Sequence, residues 1–158
     1  MNFGVVIPNL LLGPCPCDLE DMENLKSQKV TAILSLQSEE DVEDREEGWA
    51  RNLADAAGLV FRNVPVTDFD QLDLAYKLPA CAKELDDLLN AGHVVYLHCT
   101  AGVSRSPTAA AAYLHWYKGL PLENALEQVR SARNCVPLGD VIKRARRLRN
   151  QDATPGSR

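Results

Sequence analysis

Aromatic residues are scarce in this chain, 6% of 158 residues. No apolar run approaches the roughly 18 residues of a membrane-spanning helix, so no integral membrane segment is expected. Positive charge is not in excess either. Lys and Arg number 17 against 22 Asp and Glu, a net charge of −5, which argues against a nucleic-acid binder driven by overall charge. Met1–Leu12 holds no Lys or Arg ahead of its apolar stretch, so neither a secretory signal nor an Arg-rich transit peptide is read there. The five cysteines are odd in number and widely spaced. They fit a reducing compartment rather than a disulfide framework, and the expected location is the cytoplasm. Cys15 and Cys17 form a C-x-C pair without a second Cys/His pair at zinc spacing, so no metal is expected. Repeats, low-complexity blocks and linkers are also missing, which leaves one domain over 1–150 and a frayed, disordered tail over 151–158.

What is present is ordinary globular composition, 46% hydrophobic and 25% charged, enough for a sizeable core. Charge is unevenly placed. Residues 18–55 are acidic, most densely from Glu39 to Glu47, and Arg130–Arg149 is basic. These are two solvated faces, or a field that draws anionic substrate to one end.

Short strands are read at Phe3–Ile7, Leu10–Leu12, Val30–Leu36, Leu59–Val66 and Val94–His98. Helices are read from Asp18 to Gln28 and near Glu46–Ala57. Others follow at Leu74–Ala91, Arg105–Lys118, Leu122–Arg133 and Gly139–Asn150. Strands alternating with helices predict an α/β domain, a mainly parallel sheet with helices on both faces. Val94–His98, apolar on both faces, is expected at its centre.

The chemistry concentrates in VVYLHCTAGVSRSPTAAAAYL, Val94–Leu114. A strand ends at His98, Cys99 follows, then a short Gly-containing loop, then Arg105 and a helix. In α/β sheets ligands sit beyond the carboxyl ends of the strands. A helix N-terminus there offers unpaired N–H groups and partial positive charge. Ser104 or Ser106 can cap it, and Pro107 suits its first turn. The loop Thr100, Ala101, Gly102, Val103, Ser104 thus reads as an anion cradle whose amides turn inward, Gly102 doing so without a Cβ clash. In that setting the thiol pKa of Cys99 is expected to fall, making it a nucleophile at neutral pH. The planar fork of Arg105 can hold two phosphate oxygens. Phosphoryl transfer needs mainly positioning and electrostatic stabilisation. No metal or other cofactor is required.

HCTAGVSRSP resembles the H-C-x-x-G-x-x-R-S/T loop of the cysteine-dependent dual-specificity phosphatases. The likeness extends through IPNLLLG, TAILSL, VPVTDFD and AYLHWYKGLPLENALEQVRSAR, covering about residues 3–148. It implies that Cys99 attacks phosphorus and forms a phosphocysteine, and that Arg105 binds substrate and transition state. Asp68, 31 residues before Cys99, matches the family's general acid, which protonates the leaving oxygen and later activates water. Asp70 and Asp73 compete for that role on the same loop. Ser106 matches the hydroxyl that hydrogen-bonds the cysteine sulfur, or is merely a capping serine. His98 is expected to orient the loop as a neutral imidazole.

The resemblance implies action on phosphotyrosine and phosphoserine/threonine in proteins. The alternatives are a phosphoglucan or a phosphoinositide at the same site. DFDQLDLAYKLP and SARNCVP are similar to the glucan phosphatases, where an aromatic at the place of Phe69 stacks on sugar. Departures from that group are Ser104 for Gly, Ser106 for a frequent Ala, and Leu85-Asp86 where some carry Trp. Trp49, Tyr76, Trp116 and Tyr117 are the other candidate aromatics. Asn134 and Leu138 depart from the protein-phosphatase pattern at the pocket wall. A non-catalytic phosphate-binding module is the least favoured reading, since Cys99, Arg105 and an upstream Asp are all present. No oligomeric state is read from the sequence.

Overall fold

A computed structural model describes residues 1–152, with side chains described up to residue 149. The strands are β1 (Gly4–Ile7), β2 (Leu10–Gly13), β3 (Ala32–Ser35), β4 (Val60–Asn63) and β5 (Val95–His98). They form one sheet in the order β1-β2-β5-β3-β4. β1 and β2 are an antiparallel hairpin, and every other pairing is parallel. β5 is flanked on both sides and entirely buried, the central place its apolar sequence predicts.

Alternation along the strands sends side chains to two cores. Leu10, Leu12, Ala32, Leu34, Val95 and Leu97 face helices α3 (Gln71–Asn90), α4 (Arg105–Trp116), α5 (Leu122–Ala132) and α6 (Gly139–Asp152). Leu11, Ile33, Phe61 and Tyr96 face α1 (Leu19–Ser27) and α2 (Trp49–Ala56). Each large apolar side chain fully buried in these layers stabilises the fold by about 1.5–3 kcal/mol. The ends of β5 and β3 therefore open onto one edge of a rigid sheet.

Several boundaries differ from expectation, each for a local reason. α3 starts at Gln71, not Leu74, because Asp70 caps it, its side chain accepting from the Asp73 N–H. α2 starts at Trp49 after Gly48, whose φ is 74°, so Glu46 lies outside it. β4 ends at Asn63, short of Val66. Past Asn63 only the Val64 and Val66 N–H groups continue to β3, on Ser35 and Leu36 carbonyls, with Pro65 between them. The segment read as a plain polar loop after β3 contains a 3₁₀ turn, Glu39–Val42. α6 runs to Asp152, past the expected start of the tail; residues 153–158 lie outside the described residues. No helix among the described residues is long and apolar enough to cross a membrane.

Candidate active site

The loop between β5 and α4 is turned inside out. The Thr100, Ala101 and Val103 carbonyls accept hydrogen bonds from outside it: the Cys15 N–H (2.9 Å), Arg133 Nη2 (3.3 Å) and the Val136 N–H (2.7 Å). Among the described residues no acceptor engages the N–H groups of residues 100–104. The amides are left for an anion, as at other helix N-termini. Gly102 makes the turn at φ 70°, and a Cβ there would stand 2.6 Å from the Gly13 carbonyl oxygen.

Cys99 lies at the floor, 3% exposed. Its Sγ is 3.2 Å from Ser106 Oγ, so Ser106 faces the sulfur rather than capping. Ser104, at the N-cap position, makes no side-chain cap bond either. His98 is buried, and Nδ1 is 2.7 Å from the Cys99 carbonyl. A carbonyl only accepts, so Nδ1 carries the proton. Burial pushes the imidazole down to about 4, which keeps it neutral at physiological pH.

Arg105 is 4% exposed, and its fork is not open on every edge. Nη1 donates to Asp41 Oδ2 (2.8 Å) and to the Val66 carbonyl (2.8 Å), and Nη2 donates to Asp41 Oδ1 (2.9 Å). Nε is buried without a hydrogen-bond partner, 3.3 Å from Asp68 Oδ1. The end-on edge of the guanidinium thus holds Asp41, and the edge carrying Nε faces the Asp68 carboxylate.

The three carboxylates of the acid loop separate by partner. Asp70 caps α3. Asp73 accepts from the Thr67 N–H (2.8 Å) and pairs with Lys77 (3.2 Å). Burial would raise the Asp73 pKa, but these donors outweigh it and hold the group low. Asp68 accepts only from the Phe69 N–H (3.1 Å) and lies next to Arg105.

Phe69 projects into solvent, 98% exposed, at a φ of 60°. Such a conformation in a bulky residue stores about 1–3 kcal/mol of strain. Tyr76 and Leu72 are also exposed on α3. Trp116 packs under Arg149, and Tyr117, though exposed, stacks on Tyr113. Trp49 lines a cavity of about 530 Å³ with Gln37, Ser38 and Asn63 and is covered by Arg45 at 4.4 Å. Among the described residues no three His, Cys, Asp or Glu side chains gather as metal ligands would. All five cysteines are free. Burial pushes the Cys15 and Cys81 thiols up to about 12, which makes both poor attackers of an oxidised Cys99 at neutral pH.

Two residues here were missed in the sequence. Asp41 lay in a run of seven acidic side chains with nothing to single it out. Only the S-x-x-D spacing of a capping box, Ser38 to Asp41, signalled a structured turn. Gln37 donates to Thr100 Oγ1 at 3.0 Å, a contact between strand ends that spacing does not reveal.

The family model "Dual specificity phosphatase, catalytic domain" matches residues 10–144. The chain is 34% identical over 152 residues to the phosphoglucan phosphatase DSP4, amyloplastic, of Castanea sativa, covering 92% of this chain but 40% of that protein. It is 30% identical over 135 residues to human dual specificity protein phosphatase 22, covering 85% of this chain and 66% of that one. The crystal structure of human DUSP28 superposes with a TM-score of 0.68 at 26% identity, covering 96% of this chain and 95% of that one. The chain thus spans well under half of the chestnut relative. The chain belongs to the dual specificity phosphatase catalytic-domain family.

Proposed function

We propose that this chain hydrolyses phosphomonoesters through a phosphocysteine on Cys99. The observation that carries the reading is the inverted loop: carbonyls bonded outward, amides unpartnered, the sulfur beneath them, and Arg105 Nε without a hydrogen bond beside Asp68. The phosphoryl oxygens take the amides and the Nε edge. Cys99, as its thiolate, forms the S–P bond while the ester O–P bond breaks, and Asp68 gives its proton to the departing oxygen. Water then attacks phosphorus, Asp68 takes its proton, and the S–P bond breaks with Ser106 Oγ donating to the leaving sulfur. Nothing in the sequence requires a metal or organic cofactor, and the cytoplasm is the compartment suited to five unpaired cysteines.

The substrate reading is protein-borne phosphotyrosine and phosphoserine/threonine. A second reading, a phosphoglucan, is favoured by Phe69, a fully presented aromatic face one residue from Asp68, with Tyr76 further along α3. The 34%-identical relative is named a phosphoglucan phosphatase. Phosphate release from phosphotyrosine peptide, phosphoserine peptide, phosphoinositide and amylopectin, measured side by side, decides among them. The expected result is release that Cys99→Ser abolishes while inorganic tungstate still binds. Unchanged release by Cys99→Ser overturns the mechanism. Release from amylopectin alone, lost in Phe69→Ala, replaces the protein reading by the glucan one.

A further inference from the structure

We infer that Asp41 is a positioning residue for phosphate binding, the carboxylate that fixes the Arg105 guanidinium so that its Nε edge faces the cradle. This rests on the phosphatase reading and adds a residue to it. The five guanidinium N–H groups are accounted for as follows. Nη1 uses both on Asp41 Oδ2 and the Val66 carbonyl. Nη2 uses one on Asp41 Oδ1, and its remaining contact, to Thr100 Oγ1, is 3.4 Å, long for a hydrogen bond. Nε has none. A side-on ligand therefore meets a guanidinium whose plane is already set from behind.

Asp41 is itself held. Oδ2 also accepts from the Ser38 N–H (2.8 Å) and Oγ (3.0 Å), and Oδ1 from Thr100 Oγ1 (2.7 Å). The pair is almost fully buried, the side chains 4% and 7% exposed. Burial opposes ionisation of Asp41, but the bonds from Arg105, Thr100 and Ser38 outweigh it and hold the carboxyl well below the usual carboxylate range. The 3₁₀ turn thus ties the ends of β3 and β5 together through one carboxylate. Every oxygen of Asp41 is engaged, so it is not a proton donor in the reaction. Nor does it sit as a rival to the phosphate, because it occupies the Nη1/Nη2 edge and leaves the Nε edge, which faces Asp68, without a hydrogen bond.

The test is a double-mutant cycle on the full chain with p-nitrophenyl phosphate turnover, tungstate inhibition and melting temperature as readouts. Asp41→Asn keeps the shape but removes the charge and turns one acceptor into a donor. It is expected to lower kcat/KM about tenfold to a hundredfold and weaken tungstate binding in parallel. In an Arg105→Lys background, which has no fork to align, the same change is expected to cost less than about twofold. Equal losses in the two backgrounds, or tighter tungstate binding in Asp41→Asn, overturn the proposal. If Asp41→Asn does not fold, Ser38→Ala trims one donor from the same carboxylate. It is expected to weaken tungstate about twofold to fivefold at an unchanged melting temperature, and unchanged affinity overturns the proposal. A wild type that neither binds tungstate nor releases phosphate overturns the phosphatase reading together with this one. A wild type that does both, matched by Asp41→Asn, overturns this one alone.

Discussion

The sulfur of Cys99 and the hydroxyl oxygen of Ser106 stand 3.2 Å apart, joined across the first turn of α4. A hydroxyl so placed helps a sulfur that must leave phosphorus as an anion, and does less for one that attacks. Ser106→Ala is therefore expected to slow the second step about tenfold to a hundredfold. Rapid-mix kinetics with p-nitrophenyl phosphate should then show a burst of one nitrophenol per enzyme and a lowered KM. A lowered kcat without a burst would assign Ser106 to the first step.

Asp68 is the loop carboxylate that faces Arg105, Asp70 and Asp73 being committed to α3 and Thr67. In the proposed role of proton donor it matters most where the leaving oxygen is basic. Asp68→Asn is expected to reduce release from a phosphoserine peptide by about 10²–10⁴, and from p-nitrophenyl phosphate far less. Equal losses on the two substrates would remove Asp68 from that role.

Gly102 combines a φ of 70° with the Gly13 carbonyl 2.6 Å from where a Cβ would be. Gly102→Ala is expected to cost about 1–3 kcal/mol of stability and to push the loop off β2. Tungstate affinity should fall further than the melting temperature accounts for. Wild-type affinity in this variant would mean the amides hold an anion without that turn.

His98 links stability to pH. Its folded pKa is pushed down to about 4 by burial, against about 6.5 in an unfolded chain. Between those values the unfolded state binds a proton the folded state refuses. Stability is thus whole above about pH 6.5 and falls as pH drops toward 4, by roughly 3 kcal/mol in all. Asp41 adds its own loss only below about pH 4, the carboxylate range. Urea midpoints from pH 7.5 to 4.5 should decline, and His98→Asn, whose amide can still donate to the Cys99 carbonyl, should flatten the decline. An identical slope in that variant would place the titration elsewhere.

The sheet, its central strand and the six helices were legible because each buries a periodic apolar pattern: VYLH apolar throughout, and α3 repeating Leu74, Leu78, Cys81, Ala82 and Leu85. The cradle was legible because its parts are neighbours in the chain, Cys99 to Ser106. Asp41 was not, because its meaning is tertiary: 64 residues separate it from Arg105, and one carboxylate among many acquires a role only when two strand ends meet. The helix starts were misjudged where a capping side chain, Asp70, or a left-handed glycine, Gly48, set the boundary ahead of or behind the apolar pattern. The strained Phe69 had no sequence signal beyond the family likeness.

The outward anchors of the loop come from two distant stretches, Cys15 after β2, and Arg133 with Val136 between α5 and α6. The orientation of the loop amides is therefore set during folding, and under the proposed function an anion meets dipoles already aimed, with little reorganisation left to undergo. Damage to residues 133–138, which hold the Ala101 and Val103 carbonyls outward, would blunt recognition while the sheet and helices stay intact.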